Sequence, residues 1–213
     1  FYFGIPGLVA LVVTTALNDA KYPHFTLTPV TPWVWLGSII GLPLLFGLIW
    51  FLSDLLGLAT HDWGLGTFRN AIGSPSETAN IPTSALFALG LGLTIALGPT
   101  VGALLVVLTE AGWRGYLTPK LLPLGRGPAY LVTGFAWGAS FIPVYYAANP
   151  TAGIFVVVLS PLMIALPLSV ILGEIWRRTR CTGATTLLLG CYLMHLLGVW
   201  TYLFPRATTL LGG

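Results

Sequence analysis

Apolar runs of about twenty residues, the length a helix needs to cross a bilayer, recur along this chain and leave few folds open to it. Six are expected as spans: Phe3 to Leu17, the shortest, then Trp33 to Leu52, Ala85 to Leu108, Ala129 to Ala147, Gly153 to Ile175 and Ala184 to Phe204. Strand-type alternation does not recur, so the pattern predicts an all-α, polytopic transmembrane helical bundle, a single domain over residues 1–213. Only 7% of the residues are charged and 56% are apolar, with a mean hydropathy of +0.89, which excludes a water-soluble domain. The net charge of +3, from nine Lys and Arg against six Asp and Glu, is too small and too scattered for a nucleic-acid surface. Membrane lipids are the first partners expected.

Loop charge sets the expected orientation. With six spans, the first, third and fifth connections carry seven basic residues and the opposite side two. The positive-inside rule places loops at 109–128 and 176–183 in the cytoplasm, in a bacterial-type inner membrane, with both ends of the chain outside. Phe1 is not Met and is already apolar, which leaves room for residues upstream; no signal-peptide pattern is evident.

The connection from about 53 to 82 is the longest, Gly-rich and polar at its end, and predicts a flexible loop with one interfacial helical piece. It holds His61-Asp62-Trp63. His61 and Asp62 could ligate or relay together, but helix neighbours point to different faces, so a polar pair beside a membrane-surface Trp is the simpler expectation. His24, in the Asn18 to Pro32 loop with Asp19 and Lys21, is expected to be solvated. Cys181 and Cys191 would sit about 15 Å apart along a helix, too far for a disulfide. Neither Cys-x-x-Cys nor His-Glu-x-x-His occurs. Gly37 and Gly41, Gly98 and Gly102, and Gly134 and Gly138 predict close helix approach, while Pro43, Pro99, Pro143, Pro161 and Pro167 predict kinks.

Glu110 and Arg114 fall one helical turn apart at the end of the Ala85 run. Ionisable groups at such depth are costly and find partners. The pair reads either as a functional site or as an ion pair ending a helix at the membrane edge. The surrounding words, Thr109-Glu110-Ala111-Gly112-Trp113-Arg114-Gly115-Tyr116-Leu117-Thr118-Pro119-Lys120-Leu121, resemble the first motif of the CPBP family of intramembrane metalloproteases. That family includes type II CAAX prenyl endopeptidases and bacteriocin-processing enzymes, and its motif reads E-E-x-x-x-R, often within E-E-x-G-W-R-G-Y-L-x-P-x-L.

The resemblance implies a CPBP-like core over about 82–202 and, in an active member, zinc. It also exposes departures. Thr109 stands where the family has the Glu thought to activate water. The second motif, F-x-x-x-H within W-G-x-x-H-x-P, matches through Trp137, Gly138 and Pro143, with Phe141 at the His position. The third, H-x-x-x-N, counted from Gly183-Ala184, places Tyr192 at His and Leu196 at Asn; taking His195 instead puts Val199 at Asn. A catalytic zinc needs about three protein ligands and an open position. The resemblance therefore implies a degenerate member, with Glu110 and Arg114 as a remnant motif and no cofactor expected.

Three functions remain open on these residues. The first is a catalytically inactive structural or accessory subunit of a complex with another integral membrane protein. The second is an active metal-dependent endopeptidase using Glu110 as base and His195 among unconventional ligands. The third is a small transporter or a pigment-binding subunit with His195 as axial ligand; the plainer role for His195 is a hydrogen bond to a neighbouring helix. Arg177, Arg178 and Arg180 would fix topology, bind anionic head groups at about 1 kcal/mol per charge, or both.

Overall fold

The computed structural model of the chain describes residues 4–17, 26–27, 30–148, 150–204 and 206–207. Asp19, Lys21 and His24 lie outside the described residues, as does Phe3. The described residues are almost wholly helical: α1 (Ile5–Ala16), α2 (Pro32–Leu55), α3 (Gly66–Ile72), α4 (Pro75–Thr78), α5 (Thr83–Leu124), α6 (Arg126–Ala148), α7 (Ile154–Thr179) and α8 (Thr182–Leu203). One antiparallel pairing of two residues a side joins β1 (Ala59–Thr60) to β2 (Arg206–Ala207). The expected all-α membrane bundle is what forms.

Five helices, α2 and α5 to α8, are long and apolar enough to cross a membrane, and this is an integral membrane protein. The first apolar run makes only the 12-residue α1, about 18 Å long against a hydrocarbon core of about 30 Å. The larger departure is α5. A loop was expected from Thr109, yet helix continues to Leu124, 42 residues in all. The segment tolerates its polar residues because it buries them: Thr109, Glu110, Arg114 and Thr118 are all buried.

Three π turns, wider than α by one residue per hydrogen-bonded ring, interrupt these helices at Gly37–Gly41, Gly98–Gly102 and Trp113–Leu117. Two of them lie just ahead of a proline, Pro43 and Pro119. A proline ring clashes with the carbonyl four residues back and lacks an N–H, and here that carbonyl sits inside the loosened turn. Pro99 lies within the second π turn, whereas Pro143, Pro161 and Pro167 stand inside continuous α-helix.

The chain divides into two compact units, one of Phe1–Thr31 and Leu105–Thr186, the other of Pro32–Leu104 and Leu187–Gly213. In the first, α6 and α7 run antiparallel in close contact. A Cβ on Gly134 would meet Ser169 Cβ at 2.9 Å and one on Gly138 would meet Leu162 Cα at 3.0 Å, so only glycine permits this approach. The Ser169 hydroxyl donates to Tyr130 O at 3.0 Å across the same seam. Against α5, α1 is seated through Gly7 and Gly112, where added side chains would strike Leu108 and Pro6.

The second unit is built on Phe46, Leu65, Phe68, Leu86, Val199, Trp200, Leu203 and Phe204. Its segment between α2 and α5, expected as a flexible loop with one interfacial helical piece, carries two short helices organised by two charged side chains. Asp62 accepts from the Gly64 and Gly66 N–H groups at 3.1 and 2.8 Å, capping α3. Arg69 donates to the carbonyls of Gly64, Thr78 and Ile81 and to the Thr83 hydroxyl. His61 pairs instead with Asp54, Nδ1 to Oδ1, at 2.7 Å, so His61 and Asp62 serve different partners.

Candidate functional site

The polar interior of the first unit is assembled by the third π turn. Glu110 lies in the last turn of the α-helical stretch Ala103–Gly112 and Arg114 within the π turn at Trp113–Leu117. π turns recur at functional sites, because the extra residue redirects side chains that a regular helix would stack. Arg114 Nη1 donates to Glu110 Oε1 at 2.7 Å, and both side chains are completely buried. The pair that the sequence placed at the membrane edge is buried within the protein.

α6 supplies the second wall. Its Trp137 ring lies under the Arg114 guanidinium, 4.6 Å from Cζ to the ring centroid. Such a stack favours an arginine, whose flat and weakly hydrated cation can face both a carboxylate and a π surface. Phe141, one turn on, sets its ring edge-on to Trp137 at 6.4 Å. The residue at the second motif's His position therefore supports the tryptophan that carries the arginine. Farther along, the Thr118 and Thr133 hydroxyls meet at 3.3 Å, joining α5 to α6.

α8 contributes Thr185, which lies beside Glu110 but directs its hydroxyl to Thr182 O at 3.0 Å. Glu110 Oε2 is consequently left without a hydrogen-bond partner among the described residues, as are Arg114 Nε and Nη2, Trp113 Nε1, Trp137 Nε1 and Thr186 Oγ1. Buried polar atoms are ordinarily satisfied. A concentration of donors and one acceptor around a single ion pair marks this interior as the place where the chain tolerates unmet polarity. Trp137 and Thr185 were not singled out from sequence for this role; the signal was in the W-G-x-x frame and the Thr182-Gly183-Ala184-Thr185-Thr186 run.

Tyr192 and His195 belong to the second unit. Tyr192 packs on Phe46 with ring centroids 5.6 Å apart. His195 is buried; its Nδ1 lies 3.0 Å from Cys191 O, and its ring is 5.3 Å from Phe46. A carbonyl only accepts, so Nδ1 carries the proton and the Nε2 lone pair is turned outward from that bond. Nε2 has no partner among the described residues. No group of three or more His, Cys, Asp or Glu that could hold a metal ion occurs among the described residues.

The outcome of comparison with known proteins agrees with this arrangement of motifs. A model of the Rce1-like type II CAAX prenyl endopeptidases matches residues 91–201, just over half of the chain. The chain belongs to the Rce1-like family. Searches of curated proteins and of solved structures return no match. The Rce1-like region includes Glu110, Arg114, Trp137, Phe141, Tyr192 and His195, and so takes in every residue on which the resemblance was read.

Proposed function

We propose that this Rce1-like protein does not hydrolyse peptides and serves instead as an accessory subunit, bracing a complex with another integral membrane protein. The observation that carries this is the commitment of Glu110. Its Oε1 is bound to Arg114 in a buried ion pair, so that oxygen is already taken by a guanidinium N–H and is not open to a water. Thr109 offers a hydroxyl where a water-activating base would stand, and Phe141 and Tyr192 are engaged in ring contacts at two positions that the family's motifs give to ligands. The donor set does not fit a resident zinc, which takes about three N, O or S ligands, so no step is derived through one. The loop charges support an orientation with 176–183 in the cytoplasm.

Full-length protein extracted gently from its membrane should contain no stoichiometric zinc, release no tripeptide from a prenylated CAAX peptide, and migrate with a second membrane protein on native gels. Glu110→Gln should weaken that association. Zinc near one per chain together with tripeptide release would overturn the proposal.

One observation favours a second reading, the active endopeptidase. His195 donates Nδ1–H to a backbone carbonyl, the arrangement that fixes metal-binding histidines with Nε2 free to ligate. Under that reading zinc content and hydrolysis both fall in His195→Phe.

A further inference from the structure

The start of α6 and the end of α7 come together at one end of the first unit. Tyr130, one turn into α6, donates its hydroxyl to Glu174 Oε2 at 3.2 Å, and Glu174 lies five residues before the end of α7. Around this contact stand Arg126, Arg177, Arg178 and Arg180, with Lys120 on the neighbouring stretch of α5, against Glu174 as the one carboxylate among the described residues. All but Arg177 are exposed.

The cluster is organised rather than loose. Glu174 binds Arg177 through two bonds, Nη2 to Oε1 at 2.6 Å and Nε to Oε2 at 2.9 Å, and takes Arg178 through Nε alone at 2.9 Å. The Arg178 side chain is two-thirds exposed, and its two terminal nitrogens make no hydrogen bond among the described residues. Arg180 lies over the Trp176 ring at 5.1 Å and Lys120 near the Tyr116 ring at 5.5 Å. Arg180 holds a left-handed backbone, φ 53°, fixed by Arg180 N–H to Trp176 O and by the Thr26 hydroxyl to Arg180 O. A non-glycine residue rarely keeps that conformation unless its surroundings determine it; here it sets the guanidinium on the indole.

Basic side chains clustered at the ends of membrane helices reach the depth of the lipid head groups. Guanidiniums fixed at that depth with outward N–H groups match phosphate oxygens. We propose that this end of the first unit binds the phosphodiester head group of an anionic glycerophospholipid, with Arg178 and Arg180 as the principal donors and Arg126 and Lys120 supplying charge. The inference does not depend on whether the chain is a peptidase.

The test is lipid retention by the full chain, read by native mass spectrometry after reconstitution in phosphatidylcholine with or without phosphatidylglycerol at equal total lipid. Phosphatidylglycerol should be retained in preference to phosphatidylcholine. At about fivefold per charge near the surface, Arg178→Gln with Arg180→Gln should lower that preference about thirtyfold, and Arg126→Gln about fivefold. The paired Lys variants should keep most of it. Equal retention of both lipids overturns the proposal, as does unchanged retention in the Gln pair. A Lys pair that loses as much as the Gln pair also overturns it, since the loss would then follow structure rather than charge. Displacement of the lipid by millimolar inorganic phosphate would reassign the site to a free anion.

Discussion

The first unit contains two Glu and Arg sites built on one-turn spacings, i,i+4 in the first and i,i+3 with i,i+4 in the second, and they differ in almost everything else. Glu110 is ion-paired to one residue among those described, Arg114, and neither side chain is exposed at all. Glu174 has Arg177, Arg178 and Tyr130, with the carboxylate 29% exposed. Around the first, several polar atoms go without a hydrogen-bond partner among the described residues; around the second, both carboxylate oxygens are shared among donors. Spacing therefore says only that two charges can meet. Burial decides what their meeting is worth, because a partner lost in the interior leaves an uncompensated charge, whereas one lost at the surface is replaced by water and salt.

The contrast breaks first at Arg114. Arg114→Ala should cost about 3–5 kcal/mol, read by chemical denaturation of the purified protein in micelles. Glu110→Gln combined with Arg114→Gln should recover much of that loss, and a cycle of single and double variants measures the coupling. A loss at Arg114 no larger than at Arg178 would erase the distinction. Trp137→Leu comes next, at about 2 kcal/mol for a desolvated cation–π stack, in the same denaturation assay. At the second site Glu174→Gln should produce a small loss that molar salt removes, because exposed pairs are screened; a salt-insensitive loss would mean that the cluster behaves as interior.

The smallest effect sharpens the comparison from outside the membrane helices. Glu77 Oε2 accepts from the Ser74 hydroxyl and N–H at 2.7 and 2.9 Å, and these bonds hold its carboxyl below the usual 4.5. A lowered folded pKa means that the contribution is whole above pH 4.5 and is lost as pH falls through the lower folded value. Hydrogen-exchange protection at Ser74 to Thr78 should fall on acidification in the wild type, and be low and pH-independent in Glu77→Gln.

Hydropathy made the long helices legible, since each of the five contains an apolar stretch read directly from sequence. The run expected to be shortest forms the shorter apolar helix α1, and hydropathy ended α5 too soon. Thr109, Glu110 and Arg114 looked like the start of a loop because composition registers polarity and not whether α6 and α8 stand ready to cover it. The segment between α2 and α5 was opaque for a different reason. Arg69 organises it through carbonyl oxygens, which every residue possesses and no motif records. In the candidate site the Glu110 and Arg114 pairing followed from spacing, whereas the Trp137 stack and the position of Thr185 required tertiary structure.

The π turn at Trp113–Leu117 amounts to one residue more than the α-helix needs. Winding the same residues as regular α-helix would rotate the downstream stretch by about 100° relative to what precedes it. Thr118 would turn away from Thr133 while Glu110 stayed in place. This segment is thus a phase adjuster: it lets one continuous rod present its carboxylate and its later hydroxyl on separately chosen bearings. A single-residue deletion should be better tolerated there, where the extra residue can be given up, than in the α-helical stretch of α5 near Leu104, where it turns all that follows by about 100°.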